Sequence, residues 1–347
     1  MVEVPAATSA RNQAILRFAL GTAVAFILSE YFGFYPTFLA PILLATLLAN
    51  LPRALPLKAG LTLVLIMSIG AYFALMLSSL LRETPFILFG SIGLIVFLSF
   101  SILAQGRAFL PLLLVLICFS TIPVVTLVAP PQATALPISF ARGMIITVLI
   151  IWLVQAIWPD VAVKPPAGSA LREIEPVRLA LAGSAIVLPL MLVYLMYGIT
   201  DALPVLITTV VLVVNFDPKR GAIQGLAMVL ANLLGGMVAI LCHALLGVAP
   251  SLFTLAFMVF VVGLLFARRI EDGGPCGSVA LITYNQSMII LSLGLVPGPS
   301  SPGIWATRLF QFAIAYAFAV GMMYLLLPSA TTPATSRTPN TKKKAPA

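Results

Sequence analysis

Apolar residues run through this chain in stretches of about fifteen to twenty-five, long enough in most cases to cross a bilayer core. Short breaks between them hold Pro, Gly, Asn and most of the charge. The stretches are continuously apolar and do not alternate at period two, so they read as helices and not as strands of a barrel. Helices also satisfy their own backbone hydrogen bonds, which lipid cannot do for them. The pattern predicts twelve helices: 13–33, 37–50, 58–81, 85–104, 109–129 and 139–158, then 177–197, 200–214, 221–247, 251–268, 277–295 and 304–327. Between the two sets, DVAVKPPAGSALREIEP reads as a linker over 160–176. The end, SATTPATSRTPNTKKKAPA over 329–347, has the composition of a disordered tail.

The second set echoes the first. Arg17 and Arg178 each head an opening helix, and Pro41 and Pro204 interrupt the short helix that follows. Asn-Leu-Pro at Asn50 and Asn-Phe-Asp-Pro at Asn215 mark the next turn. Asn50, Gly60 and Gly70 recur as Asn215, Gly225 and Gly235, each 165 residues on. The same shift aligns Phe119-Ser120-Thr121 with Tyr284-Asn285-Gln286, and a shift of 166 pairs Arg142 with Arg308. An even number of helices per set brings both sets into the membrane from the same side. The expected fold is therefore all-α and integral to the membrane, about twelve spans in two parallel six-helix repeats over 1–159 and 177–328.

Composition agrees, with 61% hydrophobic and 8% charged residues against about 25% charged in soluble domains. The net charge of +9 changes the picture only through its distribution. Basic residues sit in the breaks and form no single patch, so they read as topology signals and not as a nucleic-acid surface. With the N-terminus inside, all but three of the 19 basic residues fall on the inner side, the exceptions being Arg82, Arg142 and Arg308. Both termini are then cytoplasmic. The start, MVEVPAATSARNQ, lacks the charged n-region and cleavage site of a secretory signal. Cys118, Cys242 and Cys276 lack metal-like spacing, so neither a metal nor a cofactor is expected.

Arg17 and Arg178 have two readings: anchors that snorkel to headgroups, or charges that gather an anion at the inner mouth. Arg142 and Arg308 oppose the inside bias, so beside the anchor reading stands a cationic constriction in which both arginines face a shared axis. An arginine fork suits a carboxylate. The short helices with Pro41 and Pro204 span less than a full hydrocarbon core, a sequence pointer to a transport site. Ser120, Thr121, Asn285 and Gln286 lie mid-membrane, either bonding neighbouring helices or lining a path. Gly60, Gly70, Gly225 and Gly235 read as close-packing positions. Glu30 is the carboxylate placed for proton coupling. His243 is single and reads as a packing residue. No P-loop, HExxH or Ser-His-Asp set is present, and general acid–base chemistry lacks its residues, so no enzyme is expected.

The stretches RFALGTAVAF, FLAPILLATLLANLPRALPLKAG, VRLALAGSAI and NFDPKRGAIQG carry a resemblance. Two sets of six helices, each with an Arg-headed helix, a short Pro-containing helix and a Gly-bearing third, resemble the fusaric acid resistance and aromatic acid exporter superfamily. The likeness covers about residues 13–328. It implies export of small organic anions such as aromatic carboxylates, often with a periplasmic adaptor subunit. The larger exporters carry a soluble cytoplasmic domain after each membrane half, whereas this chain has only its linker and tail, so it is similar to a membrane-only branch of unknown function. The expected function is inner-membrane export of small organic anions. The alternatives are a channel-like uniporter and a non-transporting scaffold. The expected partners are the lipid bilayer, the anion, an adaptor and a second copy of the chain.

Overall fold

The computed structural model describes residues 4–51, 54–105, 109–159, 176–198, 202–215, 221–295 and 302–326. The linker over 160–175, the tail, Arg53 and Asp201 lie outside them, as do the side chains of Pro204, Asn215, Gly225 and Arg308. The described residues are all-helical. The first set comprises α1 (Val4–Tyr31), α2 (Leu39–Asn50), α3 (Leu57–Leu80), α4 (Pro85–Ala104), α5 (Phe109–Val128), α6 (Pro130–Ala133) and α7 (Leu136–Ile157). The second comprises α8 (Pro176–Tyr197), α9 (Ala202–Asn215), α10 (Gly221–Val248), α11 (Leu252–Glu271), α12 (Gly274–Leu295) and α13 (Pro302–Leu326). Every predicted helix has its counterpart; α6, a single turn begun by prolines, is additional. Among the described residues, eight helices are long and apolar enough to cross a membrane.

Local chemistry sets the helix ends. Proline stands at the first or second position of α4, α6 and α7, where a missing N–H breaks no helical bond. Ser251 caps α11 by accepting from the Thr254 N–H at 3.0 Å, and Arg268 and Arg269 face the negative end of the same helix. Gly33 turns α1 into α2 with φ +61°, and Gly198, 165 residues on, closes α8 with the same angle.

Helix neighbours pair off under exchange of the two sets. α3 packs on α5 and α7, as α10 packs on α12 and α13. α1 meets α2 and α7, as α8 meets α9 and α13. Across the sets, α1 packs on α11 as α8 packs on α4, and α5 packs on α9 as α12 packs on α2. The sets therefore interlock, with α5 and α12 at the centre. Small residues make the crossings close. A Cβ added at Gly263 would lie 3.0 Å from the Ala19 Cα, and one at Gly183 would lie 2.5 Å from the Phe100 ring.

The outer surface repeats as well. Leu61, Leu65, Ile69, Tyr72, Met76 and Leu80 form one exposed stripe along α3. Leu226, Leu230, Leu234, Met237, Leu241 and Leu245 form another along α10, each residue 165 positions after its counterpart. Contiguous apolar surface of this kind is what a lipid-facing helix presents.

Contacts at the bundle ends keep to one side or the other. At one end Arg11 pairs with Asp272 in the α11–α12 turn, and Arg17 and the α2–α3 turn both meet the end of α7. At the opposite end the α1–α2 turn meets the end of α12 through Thr37 and Ser292. That separation matches the alternation of basic turns along the chain.

Candidate functional site

The central helix α12 is buried on every side from Ala280 to Ser292. A helix buried all round is expected to be apolar all round, yet α12 carries Thr283-Tyr284-Asn285-Gln286-Ser287 across its middle. Successive residues point about 100° apart around a helix of 3.6 residues per turn. The five therefore address different neighbours.

Tyr284 turns to α1 and α11, where its ring meets Phe18 edge-on at 5.1 Å and Phe266 at 6.2 Å. Its hydroxyl faces Thr22 without a hydrogen bond of normal geometry, and Thr22 itself donates to the Phe18 carbonyl at 2.7 Å. Asn285, 2% exposed, donates through Nδ2 to Thr46 Oγ1 on α2 at 3.3 Å. Gln286 is 0% exposed and lies against Gly235 of α10. Its Nε2 and Oε1, and the Oδ1 of Asn285, have no partner among the described residues. An unsatisfied buried polar atom costs about 1–3 kcal/mol, so this layer is expensive to keep unless a function uses it.

Gly235 makes the layer possible. A Cβ there would stand 2.4 Å from the Thr283 carbonyl oxygen and 2.9 Å from the Gln286 Cβ. Its counterpart Gly70 faces Cys118 of α5, with 3.6 Å to the sulfur. Gly60 lies against Trp152 of α7, so Gly60 and Gly235 are close-packing positions as expected, whereas Gly70 leaves room for a methyl group.

The corresponding residues of α5 behave differently. Ser120 and Thr121 are fully buried, and both hydroxyls donate to the Ile117 carbonyl of their own helix, at 3.2 and 2.6 Å. Of the two aligned polar pairs, only the one on α12 reaches its neighbours across the join.

Pro41 and Pro204 do not interrupt their helices. Each is the third residue of its helix, in α2 and α9, within the first turn whose N–H groups have no intrahelical acceptor. They start the short helices. The prolines inside helices are instead Pro123 of α5 and Pro189 of α8, and both helices run on through them. Pro123 cannot donate to the Phe119 carbonyl, four residues back and next to Ser120. Sequence reasoning passed over both prolines, although each stands mid-stretch where a helix was expected.

The arginines separate. Arg17 is 4% exposed, and its Nη1 donates to the Trp158 carbonyl at 2.8 Å. Trp158 is the C-cap of α7, so the buried guanidinium satisfies a helix end and its dipole, a packing role distinct from an anchor that snorkels to headgroups. Arg178 is exposed in the first turn of α8. Arg142 is exposed on α7 and borders a cleft of about 260 Å³ with Phe32, Phe34, Tyr35 and Gln132. It shares an outward stripe with Ile138, Ile145, Leu149 and Leu153 and does not face the α5–α12 centre. Position 308 lies in the second turn of α13, whose main neighbours are α8, α9 and α10, whereas those of α7 are α1, α2 and α3. α7 and α13 therefore pack on different helices, and Arg142 points outward from α7; the side chain of Arg308 lies outside the described residues. Glu30 stands at the α1–α2 end of the bundle beside Thr37, away from the amide layer.

Residues 14–154, the span of α1 to α7, match the model of a family described as a protein of unknown function (DUF2955). No curated protein and no solved structure matches the chain.

Proposed function

We propose that the protein is a transporter of the bacterial cytoplasmic membrane that exports small organic anions of the aromatic carboxylate kind. In this reading twelve helices cross the membrane as two parallel six-helix repeats with both termini inside. The exchange-related packing and the matched stripes of α3 and α10 support the repeat. The observation that carries the function is the buried amide pair Asn285 and Gln286, incompletely bonded where the two sets meet. Polar groups kept inside a membrane bundle mark substrate pathways. Beside them, Phe18, Tyr284 and Phe266 offer ring faces and edges to an aromatic body.

The layer is closed in this structure, so a substrate reaches it only when helices part. That favours a moving carrier over an open channel. Short helices line the approach: α2 and α9, 12 and 14 residues long, rise about 18 and 21 Å against a hydrocarbon core of about 30 Å. Inner-side basic residues such as Lys58, Arg268 and Arg269 gather anions at the cytoplasmic mouth. A potential negative inside then favours anion exit by about 2.3 kcal/mol per charge per 100 mV.

Proteoliposomes loaded with radiolabelled benzoate test the reading. Wild-type protein is expected to release the label faster than empty vesicles. Asn285→Leu with Gln286→Leu is expected to cut that rate at least tenfold while the protein still inserts. No wild-type release across a panel of aromatic acids would favour the scaffold reading.

A further inference from the structure

We propose that the cleft at Arg142 is a binding site for one phospholipid with a net negative headgroup, held in the outer leaflet. Independently of any transport, three observations meet there. First, Ile138, Arg142, Ile145, Leu149 and Leu153 are spaced four, three, four and four residues apart and are all exposed, so they form one outward face of α7. Phe140, Gly143, Met144 and Thr147 are buried on the opposite face. Arg142 is thus the polar head of a stripe that is otherwise apolar. From Arg142 to Leu153 the helix rises about 16 Å, which matches one leaflet of a hydrocarbon core about 30 Å thick.

Second, the cleft is shaped for an oxyanion beside an apolar body. Gly33, at φ +61°, turns the chain so that Phe32 and Phe34 stack at 5.5 Å with planes 18° apart. These rings and Tyr35 form one wall; Gln132 and Arg142 stand on the other side. A guanidinium grips two phosphate oxygens in a planar fork, and the Gln132 amide adds a donor. The rings cover the glycerol and the first acyl carbons, and the chain then follows Ile145, Leu149 and Leu153. A soluble carboxylate would fill the cleft but would make no use of the stripe below it. No acidic side chain lines the cleft among the described residues, so the ammonium of a zwitterionic headgroup meets ring faces there but no countercharge, whereas the phosphate meets Arg142.

Third, the sequence does not repeat the arginine at this register. Ile145, Leu149 and Leu153 recur as exposed Phe310, Ile314 and Phe318, each 165 residues on. At that shift the residue corresponding to Arg142 is Thr307, and Arg308 is one position out of register. The second set keeps the apolar stripe and loses the arginine at its head.

Native mass spectrometry of the full-length protein in detergent tests the assignment. Phosphatidylglycerol and phosphatidylcholine with identical acyl chains are titrated against wild type, Arg142→Gln, Arg142→Lys and Phe34→Ala. The expected result is one phosphatidylglycerol retained at least tenfold more strongly than phosphatidylcholine. Arg142→Gln should lose that preference, Arg142→Lys should keep part of it, and Phe34→Ala should weaken retention of both lipids. Equal retention by wild type and Arg142→Gln overturns the site, as does equal retention of the two lipids by wild type. Displacement of the lipid by millimolar inorganic phosphate or benzoate also overturns it, in favour of a soluble anion. Arg142 is exposed, so the glutamine variant is expected to fold; if it does not, the lysine and Phe34 variants decide between the same outcomes.

Discussion

α5 and α12 occupy equivalent places at the centre of the bundle, are equally buried, and differ in where their polar groups find partners. In α5 the polar pair is Ser120 and Thr121, whose short side chains fold back onto the Ile117 carbonyl. Such a bond costs little in a membrane helix and asks nothing of the neighbours. In α12 the same register holds Asn285 and Gln286, whose amides reach outward instead. One finds Thr46, and the other finds no partner among the described residues. Burial by itself therefore does not mark a site. The reach of the side chain does, because it decides whether a polar group can be silenced by its own helix.

The largest effect should come from the glycines behind each helix. In Gly235→Ala the new methyl would stand 2.4 Å from a backbone oxygen of α12, and only a backbone shift relieves that contact. Overpacking of this kind costs about 1–3 kcal/mol, and contact with backbone puts it at the upper end. Gly70→Ala meets only the Cys118 side chain at ordinary distance. It should be neutral, or stabilising by up to about 1 kcal/mol through helix propensity. Thermal denaturation of the two variants in detergent gives the comparison. Similar stabilities would show that the α10–α12 contact is looser than its geometry implies.

Replacing the amide itself should separate stability from flux. Gln286→Leu removes two unpartnered polar atoms from a buried position, so the protein should gain about 1–2 kcal/mol if those atoms are otherwise unsatisfied. Benzoate efflux should fall in the same variant. Thr121→Val removes a satisfied bond to its own helix and should change stability by less than about 1 kcal/mol while leaving efflux near wild type. A Gln286→Leu protein that is both less stable and fully active would mean that the amide serves packing alone.

How much of this was legible in the chain depends on the length scale. The helices could be read because each needs an apolar stretch, and every predicted stretch became one. The close-packing glycines could be read because glycine inside an apolar helix has few other uses. Finer placement could not. Pro41 and Pro204 read as interruptions because a helix beginning at 37 or 200 puts them inside, whereas α2 begins at Leu39 and α9 at Ala202, which puts both in the first turn. Arg142 and Arg308 read as a pair because a shift of 166 resembles 165 in sequence. On a helix one residue is about 100° of rotation, enough to take a position from one face to another. The amide layer was legible by type and depth. Which of its atoms lack partners depends on the spacing of α2, α10 and α12, and no single stretch records that.

The smallest expected effect tests the one bond that Asn285 makes across the sets. Thr46→Val keeps the shape of the side chain and removes the hydroxyl that accepts from Asn285 Nδ2 at 3.3 Å. Side-chain hydrogen bonds between membrane helices average about 0.6 kcal/mol, because the unfolded chain in lipid also finds partners for its polar groups. A double-mutant cycle of Thr46→Val with Asn285→Leu should return a coupling of that size. A coupling of about 2 kcal/mol or more would make α2 and α12 one rigid unit and would argue against helices that part to admit a substrate. A coupling near zero would leave the whole Asn285 amide free, as Gln286 is, and would widen the contrast with α5, whose hydroxyls never leave their own helix.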